Sequence, residues 1–169
     1  MKYLVLGIGN SLLRDEGAGL HAMRLLQARL AGNSDIAYVD GGTLGFSLAE
    51  YIERATSVLV FDAFELHEEA GSIRTFSGAE MDAFLGRAKR SAHEVALLDL
   101  LDIARLTDTL PRQRALIGIQ PQVIDWGLTL SPMVQAALPV AVNEAIALLR
   151  RWEMMSGEMA DLDAEHSTG

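Results

Sequence analysis

The chain has 169 residues, 50% of them hydrophobic, a net charge of −9 and no cysteine. This length supports one domain with a substantial core but is too short for two ordinary domains. The acidic balance disfavours nucleic acid and anionic membranes as partners, because phosphate binding requires clustered Lys and Arg. Without cysteine there is no thiol nucleophile, disulfide or thiolate metal site, so any metal must bind oxygen and imidazole nitrogen.

The amino-terminal residues, MKYLVLGIGN, lack the long apolar region and the cleavage site of a signal peptide. No apolar stretch reaches the roughly 18 residues that a membrane span needs. We therefore expect a cytoplasmic protein with no membrane insertion.

Short apolar runs alternate with helical periodicity along the chain. Strands are predicted at residues 2–7, 35–39, 57–61, 73–76 and 115–119. Helices are predicted from Glu16 to about Leu30, from Phe46 to Arg54, from Glu94 to about Leu106, and from Ser131-Pro132 to about Trp152. Residues 77–92 are polar and contain two glycines, which favours a long loop with a helical turn.

This alternation predicts an α/β fold in which a mostly parallel sheet carries helices on both faces, a three-layer sandwich. We expect one domain over residues 1–155. Residues 156–169 have little apolar content and are expected to form a disordered tail. In such folds ligands bind beyond the carboxyl ends of the strands, so functional residues are expected there.

Acidic residues follow three of the predicted strands. Asp15 and Glu16 come after the first strand, Asp40 after the second and Asp62 after the third. The fold should bring these carboxylates to one rim, where their mutual repulsion favours a bound cation or a raised pKa. The structural alternative for Glu16 is an acid in the first turn of a helix, which the helix dipole favours, and for Asp62 it is a turn or cap residue.

His93 precedes a predicted helix and follows a polar loop that could reach the same rim. One imidazole with two carboxylates suits a divalent transition metal such as zinc or nickel, and is too nitrogen-rich for a calcium site. A structural or surface role for a single histidine is the alternative.

Gly7-x-Gly9 resembles the beginning of a dinucleotide fingerprint, but Leu12 stands where the fingerprint requires a third glycine. The acidic pair at the helix start would also repel a pyrophosphate. A nucleotide-binding enzyme is therefore a minor alternative.

Six short motifs resemble, in order and spacing, those of the hydrogenase maturation endopeptidases. These motifs are Gly7-x-Gly9-Asn10, Asp15-Glu16-Gly17-x-Gly19, Asp40-Gly41-Gly42-Thr43, Asp62-Ala63, Ser91-x-His93-Glu94 and Gly118-x-Gln120-Pro121. The resemblance covers roughly residues 1–150. Ala96 is a departure, because the family often has a glycine shortly after the histidine.

The resemblance implies an α/β sandwich with a twisted, mostly parallel sheet, and an endopeptidase that removes the C-terminal extension from the large-subunit precursor of nickel–iron hydrogenases. It also implies metal contacts by Glu16, Asp62 and His93. The nickel is expected to be borne by the substrate and bound transiently, and zinc or cadmium is expected to be able to occupy the site in vitro.

Two mechanisms follow from this resemblance. The three residues could hold the nickel of the substrate and align the scissile bond, or the metal could polarise the carbonyl or activate a water molecule. Asp15 is a possible general base in either mechanism. A non-catalytic nickel-sensing chaperone for the large subunit is the alternative to an endopeptidase.

Overall fold

The structure, a computed structural model, describes residues 2–42, 47–87 and 92–166. For residues 47, 87, 92–96 and 156–166 the description covers the backbone alone. The strands are β1 (Tyr3–Gly7), β2 (Ile36–Asp40), β3 (Ser57–Ala63), β4 (Ile73–Ser77) and β5 (Gln113–Ile119). The helices are α1 (Ala18–Arg29), α2 (Ser47–Arg54), α3 (Ala79–Arg87), α4 (Ala92–Leu106) and α5 (Pro132–His166), with a 3-10 helix at Arg14–Gly17 before α1.

The five strands form one sheet in the order β2-β1-β3-β5-β4. The first four pair in parallel, and β4 runs antiparallel to β5 at the edge. Parallel neighbours require crossover connections, which here are helices that cover the sheet. The expected α/β sandwich with a mostly parallel sheet is confirmed.

The two faces of the sheet are buried in separate apolar clusters, as the alternation of side chains along a strand requires. On one face Tyr3 and Val5 of β1 belong to the cluster that contains α1 and α5. On the other face Leu4 and Leu6 belong to the cluster that contains α2, α3 and α4. Central strands buried on both faces explain why these segments read as continuous apolar runs.

Helix α3 corrects one expectation, because residues 77–92 were predicted to be a long loop with one helical turn. Residues 79–87 form a helix of nine residues. Met81 and Leu85 lie four positions apart and are both buried against the sheet. Packing against the sheet therefore stabilises a helix that the local sequence alone does not predict. Residues 88–91 of the predicted loop lie outside the described part of the chain.

Helix α5 extends to His166, beyond the end expected near Trp152. The backbone of residues 156–166 is therefore helical where composition suggested a disordered tail. Ala, Glu, Met and Leu in this stretch have high helix propensity, which lets a preformed helix propagate.

Residues 132–155 of α5 are long and apolar enough to cross a membrane, although no stretch of that kind was expected from the sequence. One face of this segment nevertheless belongs to the core. Val134, Ala141 and Ala145 are fully buried in the cluster with α1. This segment is therefore a core helix of the sandwich, whose buried face explains its apolar composition.

Candidate active site

The carboxyl ends of the parallel strands form one rim of the sheet. Gly7, the last residue of β1, lies beside Asp40 of β2 and beside Phe61 of β3. Asp62 follows Phe61 and lies opposite Gly118 of β5. The carboxylates expected at a common rim therefore leave from neighbouring strands.

Glycines allow the loop after β1 to pack tightly against the start of α1. A Cβ atom at Gly9, whose φ is +125°, would lie 1.8 Å from the carbonyl oxygen of Glu16. A Cβ at Gly19 would lie 2.4 Å from the carbonyl oxygen of Phe61. Only glycine tolerates such close backbone approach. The chain itself thus occupies the space beside Gly19, which disfavours the binding of a pyrophosphate there.

This packing brings Glu16 and Asp62 to the same part of the rim. Glu16 lies in the 3-10 helix, which contacts β3. The amide of Ile8 donates to the carbonyl oxygen of Phe61 over 2.8 Å, fixing the loop against the end of β3. Glu16 is partly buried, and Asp62 is 4% exposed. The side chain at one of these positions is thus partly buried and the other almost fully buried.

His93 is the second residue of α4, and its side chain lies outside the described part of the structure. The backbone direction is nevertheless informative. The last turn of α4 leads through residues 107–112 to the first residue of β5, at the amino end of the sheet. A helix of 15 residues spans about 22 Å, close to the length of the strand it accompanies. The first turn of α4 therefore lies towards the rim.

Asp15 is fully buried and accepts four hydrogen bonds from residues far along the chain. Its Oδ1 accepts from the amide of Ser131 over 2.6 Å. Its Oδ2 accepts from the amides of Gln122 and Val123, each over 2.9 Å, and from the hydroxyl of Ser131 over 2.7 Å. One carboxylate thus joins the loop after β1 to the segment between β5 and α5.

Burial raises the pKa of Asp15, but the hydrogen bonds from Ser131, Val123 and Gln122 outweigh burial and hold the pKa below its usual value. A carboxylate with a lowered pKa is a weak base, and both oxygens of this one are engaged. Asp15 is thus a buried carboxylate with both oxygens engaged, and its role as a possible general base stays a prediction.

Asp40 is held more loosely at the end of β2. Its Oδ1 accepts from the amide of Gly42 over 3.0 Å, and its Oδ2 lies 3.4 Å from Arg24. Both side chains of this ion pair are about half exposed. The amide of Gly41 donates to Gly7, so the loop begins against β1. Thr43, the last residue of this motif, lies outside the described residues.

Gln120 is a structural residue of the rim to which sequence reasoning assigned no role. It is 5% exposed, and its Oε1 accepts from the amide of Leu66 over 2.7 Å. Its Nε2 donates to the carbonyl oxygen of Pro121. Gln120 therefore fixes the segment that follows Asp62. Its only sequence signal is its place in the Gly118-x-Gln120-Pro121 motif.

Among residues 2–42, 47–87 and 92–166, as far as their side chains are described, no group of three His, Asp or Glu side chains could hold a metal ion. Glu16 and Asp62 are the two predicted metal contacts whose side chains belong to that part of the chain, and the metal site stays a prediction. A third donor would have to come from a side chain such as His93. Two carboxylates and one imidazole suit a borderline divalent ion.

Comparisons with known proteins agree with one another. A family model described as hydrogenase maturation protease matches residues 20–148. The hydrogenase expression/formation protein HoxM of Cupriavidus necator is 36% identical over 166 residues, which are 95% of this chain and 82% of that protein.

Solved structures with the same fold carry related names. The hydrogenase maturating endopeptidase HybD from Escherichia coli aligns with a TM-score of 0.84 and 30% identity, over 89% of this chain and 93% of that one. The [NiFe] hydrogenase maturation protease HybD from Thermococcus kodakarensis aligns with a TM-score of 0.75 and 32% identity, over 88% of this chain and 99% of that one.

Proposed function

We propose, since the chain belongs to the hydrogenase maturation protease family, that it is an endopeptidase acting on a nickel–iron hydrogenase large-subunit precursor. It removes the C-terminal extension of that precursor after nickel insertion, in the cytoplasm. The observation that carries this proposal is the family match over residues 20–148, because this span includes the end of β3, the first turn of α4 and the segment after β5.

The reacting site in this proposal consists of Glu16, Asp62 and His93. The tight packing of the 3-10 helix against the end of β3 supports the inclusion of the first two. The direction of α4 supports the inclusion of His93. The nickel is part of the substrate, and the three side chains recognise it.

In the mechanism that we favour, these residues bind the nickel of the precursor and thereby hold the scissile peptide at the rim. The gain is in proximity and orientation, since a bound and aligned peptide reacts as if at very high concentration. Polarisation of the carbonyl or activation of water by the metal is the second possibility. No proton transfer is assigned to Asp15, because its lowered pKa and its four hydrogen bonds fit a positioning residue.

The test is to incubate the purified protein with nickel-loaded and nickel-free precursor and to measure the mass of the product. The normal protein should shorten only the nickel-loaded precursor. Glu16→Gln and His93→Ala should each reduce processing by at least about 100-fold, as removal of a transition-state contact does. Matched controls are Glu50→Gln, at an exposed i,i+4 ion pair, and His67→Ala, whose side chain is 89% exposed.

Three results would separate the alternatives. Normal processing by Glu16→Gln and His93→Ala would refute the site assignment. Binding of the precursor by the normal protein without any shortening would favour the nickel-sensing chaperone. Equal processing with and without nickel would refute recognition of a substrate-borne metal.

A further inference from the structure

A cluster of large apolar side chains is exposed beside the candidate site. Four of them define a surface that we call the apolar lip. Its members are Leu12, Ile124, Trp126 and Leu128, which are 51%, 58%, 77% and 70% exposed. Tryptophan is highly buried on average, so a Trp with three-quarters of its surface in water is unusual. Scattered apolar residues need no explanation, but a contiguous group marks an interaction site.

Three members of the lip, Leu12, Trp126 and Leu128, are neighbours because the backbone joins their two segments, and the fourth, Ile124, precedes Trp126 by two residues. Leu13 and Gly127 form a parallel bridge. The amide of Gly127 donates to the carbonyl oxygen of Leu12, and the amide of Arg14 donates to the carbonyl oxygen of Gly127, each over 2.9 Å. Leu12 therefore lies next to the residues that flank Gly127, which are Trp126 and Leu128.

The lip is fixed in position relative to Glu16. The amide of Asp15 donates to the carbonyl oxygen of Val123, and the carboxylate of Asp15 accepts from the amides of Gln122 and Val123. Glu16 is the next residue along the chain. A surface anchored in this way presents its apolar side chains at a set distance from the site, and needs little ordering when it binds.

We propose that the apolar lip is the docking surface for the folded body of the large-subunit precursor. This inference rests on the proposed function. The lip binds an apolar surface of the precursor next to the start of its C-terminal extension, which then passes Glu16 and Asp62. Exposed aromatic residues in such positions supply most of the binding free energy of protein interfaces.

A second copy of this chain is the competing occupant, and two observations favour the precursor. The lip is attached to the residue before Glu16, a relation that self-association would not require. Each copy also carries a net charge of −9, which opposes association of two identical chains.

The proposal predicts a specific kinetic change. Binding by the lip is the same in the ground state and the transition state, so its loss raises KM and leaves kcat unchanged. Trp126→Ser should raise KM for the nickel-loaded precursor about tenfold or more, and Leu128→Ser should have a similar but smaller effect. Leu106→Ser is the matched control, because Leu106 is 87% exposed at the end of α4 that leads to the amino edge of the sheet.

The experiment compares processing of the nickel-loaded precursor from the same organism by the normal protein and the three variants. The mature large subunit, which lacks the extension, is added as an inhibitor in parallel. The mature large subunit should inhibit the normal protein competitively. Its inhibition of Trp126→Ser should be about tenfold weaker. A synthetic peptide of the extension should inhibit both proteins equally.

The possible negative results can be told apart by processing, KM and inhibition. If the normal protein does not cut the precursor, the proposed function fails and this inference fails with it. If the normal protein cuts and Trp126→Ser and Leu128→Ser retain a normal KM, the docking proposal fails alone. Inhibition by the extension peptide that Trp126→Ser loses would assign the lip to the extension. A normal dimer that Trp126→Ser converts to a monomer, with KM unchanged, would assign it to self-association.

Discussion

Asp15, which follows β1, and Asp40, the last residue of β2, lie at the same rim of the sheet, yet the two side chains experience opposite environments. Asp15 is fully buried and accepts four hydrogen bonds from residues 122–131. Asp40 is exposed and interacts with Gly42 and with a half-exposed arginine. The first loop is therefore tied to a distant part of the chain, whereas the second depends on its own neighbours.

The difference shows that position in the fold does not decide what a rim carboxylate does. Asp15 satisfies buried amides and in doing so joins the residue before Glu16 to the segment that bears the apolar lip. Asp40 satisfies one amide that water could serve almost as well. Removal of the two side chains should therefore lower the free energy of unfolding by different amounts. A buried donor without an acceptor destabilises the folded chain, whereas an exposed donor can bind water instead.

The largest effect is expected from Asp15→Ala. This change leaves the amides of Gln122, Val123 and Ser131 without their acceptor, and each such loss costs about 1–3 kcal/mol. We expect the free energy of unfolding to fall by at least about 3 kcal/mol. Chemical denaturation followed by circular dichroism measures this change.

Asp40→Ala is the matched control for that measurement. Its ion pair with Arg24 is exposed, and such pairs contribute between zero and about 1 kcal/mol. We expect a loss below about 0.5 kcal/mol. Equal losses in the two variants would show that the buried hydrogen bonds of Asp15 do not distinguish the two loops.

The order of the five strands along the chain could be predicted from the sequence because each central strand is an apolar run between turn residues. Tyr3–Gly7 and Ser57–Ala63 lie within two residues of the predicted limits. The common rim followed from the rule that parallel strands end together. These features depend on local composition and on general rules of topology.

The partners of Asp15 could not be predicted, because Ser131 lies 116 positions away and no local pattern joins them. The same holds for Gln120, whose contacts with the segment after Asp62 arise only in the folded chain. Helix α3 was missed since two buried residues stabilise it against the sheet, and tertiary packing outweighs local propensity. The roles of Glu16, Asp62 and His93 stay predictions that the processing assay tests.

A smaller effect is expected from Ser131→Ala, which removes one of the four donors to Asp15 and leaves the three amides. A hydrogen bond to a charged group contributes about 1.5–3 kcal/mol and a typical one about 1 kcal/mol, so we expect a loss of about 1–2 kcal/mol. The double variant Asp15→Ala/Ser131→Ala should be no less stable than Asp15→Ala, since the hydroxyl then has no carboxylate to lose. Additive losses would mean that Ser131 acts through other contacts.

The smallest effect is expected on the change of stability with pH in the acid range. The pKa of Asp15 is lowered in the folded chain, so its stabilising contribution is present above the unfolded pKa of about 3.9 and decreases as the pH falls through the folded pKa. Near pH 4 this carboxyl is half protonated in the unfolded chain. Its contribution to the slope of the free energy of unfolding against pH is therefore limited to about 0.7 kcal/mol per pH unit. Other carboxyls with a lowered pKa, such as Asp82 beside Arg114, add their own slopes. In unfolding curves between pH 3 and 6, the total slope of the unfolding free energy near pH 4 should therefore exceed this value and be equal in the normal protein and in Asp40→Ala. Ser131→Ala lacks one of the hydrogen bonds that lower the pKa, so its slope should be shallower. An equal slope in Ser131→Ala would mean that the backbone amides alone set the titration of Asp15.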